Sequence, residues 1–181
     1  MEAPGDQPTM PKERWAIHLH KENFKFSCAH FLIFPDGSKE RLHGHNYYVD
    51  AEIEGLLTDK GIVIDFIQVK PVIRELCDEL DEHWVVPGQH PELAIKPRDD
   101  GHTEVHYRGC HYLAPSEEII VLPINNSSAE NLATWFGREL VRRVQARFGR
   151  TQIQKLRLAV SETSGQWGVF YYSDESVSPS R

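Results

Sequence analysis

Stretches at both ends of this chain alternate apolar and polar residues, while two segments between them repeat at helical spacing. Trp15, Ile17 and Leu19 fall on one face and His18 and His20 on the other, and the pattern runs on through Phe24, Phe26 and Cys28 towards Phe34. That is two strands or one long bent strand. Asn46–Ile53 alternates again. Phe66, Val69, Ile73, Leu76, Cys77 and Leu80 then recur as one stripe of an amphipathic helix, with Pro71 inside it marking a start or a bend. Ser127-Ser128-Ala129-Glu130 has the Ser-x-x-Glu form of a capping box. The helix after it turns Leu132, Trp135, Phe136, Leu140 and Val144 inward and stops at Gly149. Ile153–Ser161 and Gln166–Tyr172 supply two closing strands. Strands at both ends around helices predict an α+β domain with a four-stranded antiparallel sheet.

Residues 84–124 break this order. They are rich in Pro, Gly and His, and read as an insertion. Val105-His106-Tyr107 and Cys110-His111-Tyr112 flank Arg108-Gly109 as a tight hairpin, and Ile119–Leu122 adds a short strand. The expected organisation is a lead-in over 1–14, one domain over 15–172 and a loose tail over 173–181. At 181 residues a single core suffices.

Charge and cysteine usage narrow the function. A net charge of -7 argues against non-specific nucleic-acid binding and against an acidic membrane surface. No segment is apolar and long enough to span a bilayer, and the first residues lack the basic-then-apolar order of a secretory signal. Three scattered cysteines make no disulfide framework, so a reducing cytoplasm is the expected compartment.

Ten histidines invite a search for metal sites. His43-Gly44-His45 puts two imidazoles on one face of an extended chain, within reach of one ion, and His30 at a strand end is available as a third ligand. Three imidazoles with one open position form a catalytic zinc site. Spacing alone does not choose this set. His18-Leu19-His20 has the same geometry, His102, His106 and His111 could cluster, and strand histidines are commonly just solvated.

The words around these histidines narrow the choice. Phe26-Ser27-Cys28-Ala29-His30, Leu42-His43-Gly44-His45-Asn46-Tyr47, Gly61-Ile62-Val63-Ile64-Asp65-Phe66 and Leu80-Asp81 come in order. Ser127-Ser128-Ala129-Glu130-Asn131-Leu132-Ala133 and Val160-Ser161-Glu162-Thr163 come after them. Together they resemble the successive motifs of the 6-pyruvoyltetrahydropterin / 6-carboxytetrahydropterin synthase family. The resemblance implies a tunnelling fold, with helices on one side of an antiparallel sheet. It implies homotrimers or homohexamers with sites at subunit interfaces. It carries Zn²⁺ ligation to His30, His43 and His45, and pterin binding to Glu162, with Ser128 and Thr163 beside it. One carboxylate can accept from both the amide N–H and the exocyclic amine of a pterin.

Two features depart from the family pattern. The cysteine that many members carry before the His-x-His pair is absent, and Lys39 holds the nearest such position. Glu40 matches a subgroup in which glutamate is said to replace that cysteine. Cys28, two residues before His30, could also reach the site, although packing is the simpler role. The family's Leu-Asp-His becomes Leu80-Asp81-Glu82-His83, so either Glu82 replaces the histidine or a bulge brings His83 to it. The expected catalytic groups are therefore Glu40, Asp81 and His83. The implied reaction is that of a zinc-dependent lyase converting 7,8-dihydroneopterin triphosphate to 6-carboxytetrahydropterin, on a deazapurine route, or to 6-pyruvoyltetrahydropterin. The Glu40 subgroup points to 6-hydroxymethyl-dihydropterin for folate instead. A pterin- or purine-binding module without catalysis, or an assembly protein with incidental zinc, are the other classes.

Overall fold

The computed structural model describes residues 13–149 and 153–174, so most of the expected lead-in and tail lies outside the described residues. The chain runs β1 (Trp15–His30), β2 (His43–Gly55), α1 (Phe66–Leu80), β3 (His83–Pro87), β4 (Leu93–Pro97), β5 (His102–Tyr107) and β6 (Cys110–Pro115). It continues through β7 (Ile119–Leu122), α2 (Ala129–Phe148), β8 (Ile153–Thr163) and β9 (Gln166–Ser173). The long opening alternation is one strand, and its pairing with β2 shifts register between His20 and Lys25, which supplies the bend.

The four-stranded antiparallel sheet is a correction. The main sheet has six strands in the order β7-β3-β1-β2-β8-β9, and β4-β5-β6 form a separate three-stranded sheet. The strands β1, β2, β8 and β9 pair antiparallel as expected. The two additional strands pair parallel, β3 with β1 and β7 with β3. Strand β7 is the short strand expected at Ile119–Leu122, while the sequence of β3 explains why alternation missed it. Trp84, Val85 and Val86 are all buried, and a strand covered on both faces reads as a short apolar run with no period. The segment read as an insertion thus extends the main sheet at its two ends and builds a second sheet in its middle, including the expected hairpin at Arg108-Gly109.

Two cores result. Helices α1 and α2 pack on one face of the main sheet through Val69, Ile73, Leu76, Leu132, Phe136 and Leu140, among others. Phe66, expected on the buried stripe, is instead exposed. Helix α1 begins before Pro71, capped by the Asp65 carboxylate, which accepts from Ile67 N. Along β3, Val85 joins the helix-side core while Trp84 and Val86 join a smaller one with Phe31, Ile33, Val105 and Tyr107. The small sheet therefore covers the face of β3 away from the helices.

The capping box is also corrected. Ser128, not Ser127, caps α2, its Oγ accepting from Asn131 N at 3.3 Å. Gly149, at φ 77°, ends the helix as expected. Strand β9 lies so close to the first turn of α2 that a Cβ on Gly168 would stand 2.2 Å from the Ala129 carbonyl carbon and 2.4 Å from Glu130 N. Backbone cannot step aside as a flexible side chain can. Gly168→Ala is expected to destabilise the fold by about 1–3 kcal/mol, read as a lowered thermal midpoint. Gly109→Ala, whose Cβ would meet nothing within 4 Å, should leave the midpoint almost unchanged. Equal shifts in the two variants would show that the close approach is not what matters.

Candidate active site

Antiparallel pairing of β1 with β2 sets His30 directly across from His43, and Cys28 across from His45. Side chains two residues apart share a face, so all three imidazoles meet. Their ring centroids are 4.7–5.3 Å apart, and one ligand atom from each lies within 4.8 Å of the others. His30 is fully buried. Its Nδ1 donates to the Ser127 carbonyl at 2.9 Å, and His43 Nδ1 donates to the Arg41 carbonyl at 2.7 Å. A carbonyl only accepts, so these bonds place the protons on Nδ1 and leave both Nε2 atoms as acceptors, that of His30 lying 3.0 Å from the Tyr47 hydroxyl. Burial pushes the pKa of His30 down, outweighing the Ser127 bond, which favours the proton. Neutral imidazoles with convergent, oriented nitrogens are the donor set that a zinc ion takes in three-histidine sites.

Two carboxylates flank the cluster. Glu40 Oε2 lies 4.0 Å from His43 Nε2. Its place is held by Leu32 N, which donates to Oε2 at 3.1 Å, while Glu40 N donates back to Leu32 O at 3.0 Å. The loop carrying it is gripped by the small sheet. Tyr107 OH and Arg108 Nη1 each donate to the Gly37 carbonyl at 2.9 Å. Lys39 Nζ donates to Tyr112 OH at 2.6 Å and to Glu40 O at 2.8 Å. Asn126 pairs with both backbone groups of Ile33.

The second carboxylate is Glu162. Tyr48 pairs with Ser161, so Glu162 comes next on the face of Tyr47. Its Oε1 is 3.2 Å from His30 Nε2, 3.8 Å from His45 Nε2 and 3.3 Å from Tyr47 OH, which donates to it. Tyr47 is fully buried, and burial first, then nearby Cys28 and Glu162, push its pKa up, so it stays a neutral phenol.

Asp81 and His83 are not brought to this cluster. Glu82 takes a left-handed conformation at φ 59°, which absorbs the extra residue. His83 then enters β3 opposite Cys28. The expected side-chain pair does not form. Asp81 Oδ1 accepts from Ser27 N at 2.7 Å and from Ser27 Oγ at 3.0 Å, while His83 Nδ1 donates to the Asp81 backbone carbonyl at 2.6 Å. Glu82 and His83 line a cavity of about 460 Å³ that His45 also borders, together with Gly44, Asn46 and Trp84. Ser128 serves as the α2 cap, and Thr163 Oγ1 donates to Gln166 Oε1 at 2.8 Å in the β8–β9 turn. The pair His18 and His20 is engaged elsewhere, on Asp50 at 2.6 and 3.3 Å.

Residues 18–173 match the family described as 6-pyruvoyl tetrahydropterin synthase. The chain belongs to that family. Membership makes it an enzyme of a pterin lyase type. A Methanocaldococcus jannaschii protein, provisionally named 6-carboxy-5,6,7,8-tetrahydropterin synthase, is 34% identical over 143 residues, covering 78% of this chain and 86% of that one. The 6-carboxy-5,6,7,8-tetrahydropterin synthase of Rickettsia felis is 30% identical over 117 residues, covering 64% and 75%. The crystal structure of Plasmodium vivax 6-pyruvoyl tetrahydropterin synthase superposes with a TM-score of 0.82 at 27% identity, covering 90% of this chain and all of that one. Further structures of the Plasmodium vivax protein replace a glutamate described as its catalytic residue by alanine or by cysteine.

Sequence reasoning passed over Tyr47 and the main-chain role of Ser127. Tyr47 was findable, since it stands two residues beyond His45 on the same face of β2. The Ser127 carbonyl was not, because its partner lies 97 residues away. Its hydroxyl is also spent, donating to Phe31 O at 2.7 Å.

Cys28 faces the helix-side core, and burial raises its thiol to about 12, with Glu162 and Asp81 adding to the shift. Such a thiol is a poor nucleophile at neutral pH. Among the three cysteines only Cys110 is exposed. Maleimide treatment of the folded protein near pH 7.5 should therefore label one thiol, and Cys110→Ser should abolish the labelling. Rapid native modification of Cys28 would show an activated thiol.

Proposed function

We propose that this synthase is a zinc-dependent lyase of 7,8-dihydroneopterin triphosphate in which Glu40 is the principal base. The observation that carries the reading is the convergence of the His30, His43 and His45 cluster with a backbone-held carboxylate 4.0 Å from His43 Nε2. His30, His43 and His45 would hold the zinc ion, whose contribution is Lewis-acid polarisation of the substrate's side-chain oxygens. Glu40 would take the C1′ proton, so that the ring gains the hydrogen the side chain loses. Its Leu32 N–H contact keeps one oxygen directed while the other remains available as acceptor. Glu162 would accept from the amide N–H and amine of the pterin, oriented by the buried Tyr47 phenol.

Glutamate as base is supported by the absence of a cysteine between His30 and His43, by the buried thiol of Cys28 and by the likeness to a synthase with a catalytic glutamate. The named relatives favour 6-carboxy- or 6-pyruvoyltetrahydropterin as product, and the glutamate in place of cysteine favours 6-hydroxymethyl-dihydropterin. Product analysis on the purified protein distinguishes the three. Asp81 and His83 make no contact with the cluster among the described residues, which fits a site completed by a neighbouring copy in a trimer or hexamer. Strands β7 and β9 are the two edges of the main sheet and would be the means of closure.

Glu40→Gln retains an acceptor for Leu32 N but cannot take a proton. It should lower turnover by about 10²–10⁴-fold with zinc content and pterin affinity unchanged, while Cys28→Ala keeps most activity. The opposite pattern would make this a cysteine enzyme. Glu162→Gln replaces one of two equivalent acceptors by a donor. It should weaken pterin binding by about tenfold or more without loss of zinc, and an unchanged affinity would remove Glu162 from the ring site.

A further inference from the structure

The small sheet carries a second cluster of ligand atoms that the proposed chemistry does not use. In the β5–β6 hairpin His106 pairs directly with His111, and Glu104 lies two residues before His106 on the same face. One ligand atom from each of Glu104, His106 and His111 lies within 4.8 Å of the others. The two imidazoles are stacked, 4.1 Å between centroids and 11° between planes, and His106 Nε2 is 3.0 Å from Glu104 Oε2. Sequence spacing suggested His102 as the third member. It shares the face, but stands four residues from His106, whereas Glu104 stands two, and its Nδ1 turns to the Asp100 carbonyl.

Two features distinguish this cluster from loose surface histidines. The opposite face of β5 is pinned, with Thr103, Val105 and Tyr107 all buried, so the backbone presenting the ligands is held by a core. Glu104 is also oriented from behind. Arg98 Nη1 donates to Oε1 at 2.7 Å, which leaves Oε2 turned towards His106.

We infer that Glu104, His106 and His111 form a second metal site, separate from the three-histidine cluster and suited to a divalent transition ion of the zinc class. Two imidazoles with one carboxylate are borderline donors that favour Zn²⁺, Co²⁺, Ni²⁺ and Cu²⁺ over Mg²⁺ and Ca²⁺, which take oxygen ligands. Exposed His111 leaves the remaining positions to water. The ion would bridge β5 to β6. That hairpin also contributes Tyr107, Arg108 and Tyr112, the side chains that grip the loop bearing Glu40. Occupancy would thus stiffen the support of that loop, whatever reaction Glu40 serves.

The test is metal stoichiometry on the full chain. The protein is saturated with Zn²⁺, freed of loosely held ion by a weak chelator that competes near a dissociation constant of about 10 µM, and its zinc is counted per chain by atomic emission. Wild type should keep two equivalents, the His106→Ala/His111→Ala variant one, and His43→Ala one. Zn²⁺ should slow amide hydrogen exchange across residues 102–115 in wild type and in His43→Ala, but not in His106→Ala/His111→Ala. Equal zinc in wild type and the double variant, or a second equivalent that the chelator strips completely, would overturn the inference. Loss of zinc from the double variant with full retention in His43→Ala would leave this site standing and sink the three-histidine reading instead.

Discussion

The register of β1 against β2 is the constraint on which the site depends. It places His30 across from His43 and aligns His45 with them on the helix-side face. A slip of one residue would turn His43 and His45 to the other face and leave His30 alone in the core. The register is secured further along the two strands, where Phe26, Tyr47, Val49 and Ile53 all enter the large core. The same packing that stabilises the sheet therefore gathers the three imidazoles. From His30 the constraint passes onward. Its buried Nδ1–H bond to the Ser127 carbonyl ties the end of β1 to the residue before the α2 cap, and Ser127 Oγ repeats the tie through Phe31 O. An unpaired polar group at that depth would cost about 1–3 kcal/mol, so the start of α2 is held in place by the site's own geometry.

Charge is distributed in a consistent way. The deepest polar groups of the site are His30, Tyr47 and the Cys28 thiol. Burial holds all three in their uncharged forms, lowering the first and raising the other two. The carboxylates of Glu40 and Glu162 sit nearer the surface, with roughly a third and a fifth of each side chain exposed. Uncharged groups thus lie deep in the site and the carboxylates stand at its rim.

The second sheet answers a difficulty that loops raise. A base on a loop is a poor catalyst unless its support is rigid. Here the loop between β1 and β2 is pinned at Gly37 by Tyr107 and Arg108, and at Lys39 by Tyr112, whose ring stacks on Phe31. Lys39 Nζ also lies 4.7 Å from the Phe31 ring centroid, a cation held against an aromatic face. Lys39 is thereby part of the scaffold for its neighbour Glu40.

What could be read from residues alone was whatever repeats locally or forms a contiguous word. Period two and period 3.6 identified β1, β2, β8, β9 and both helices, because half-buried elements show their faces in sequence. His43-Gly44-His45 and its surrounding words pointed to the three-histidine cluster, since strand geometry fixes how residues two apart are related. The strand β3 was not legible in the same way, since a parallel strand buried on both faces carries no alternation, and the short apolar run of β7 gave a strand but not its parallel pairing with β3. Nor was the fate of Asp81 and His83. Sequence left open whether Glu82 replaces the histidine or a bulge brings His83 to Asp81; the left-handed backbone of Glu82 absorbs the extra residue, yet Ser27 captures the Asp81 carboxylate and the pair does not form. The Ser127 carbonyl on His30, the placing of Glu162 against His30 and Tyr47, and the grip of the small sheet on the Glu40 loop were decided only by tertiary structure. These contacts join residues between 70 and 132 positions apart. Over such separations local sequence carries no record of which groups meet, and only the packing of whole elements sets it.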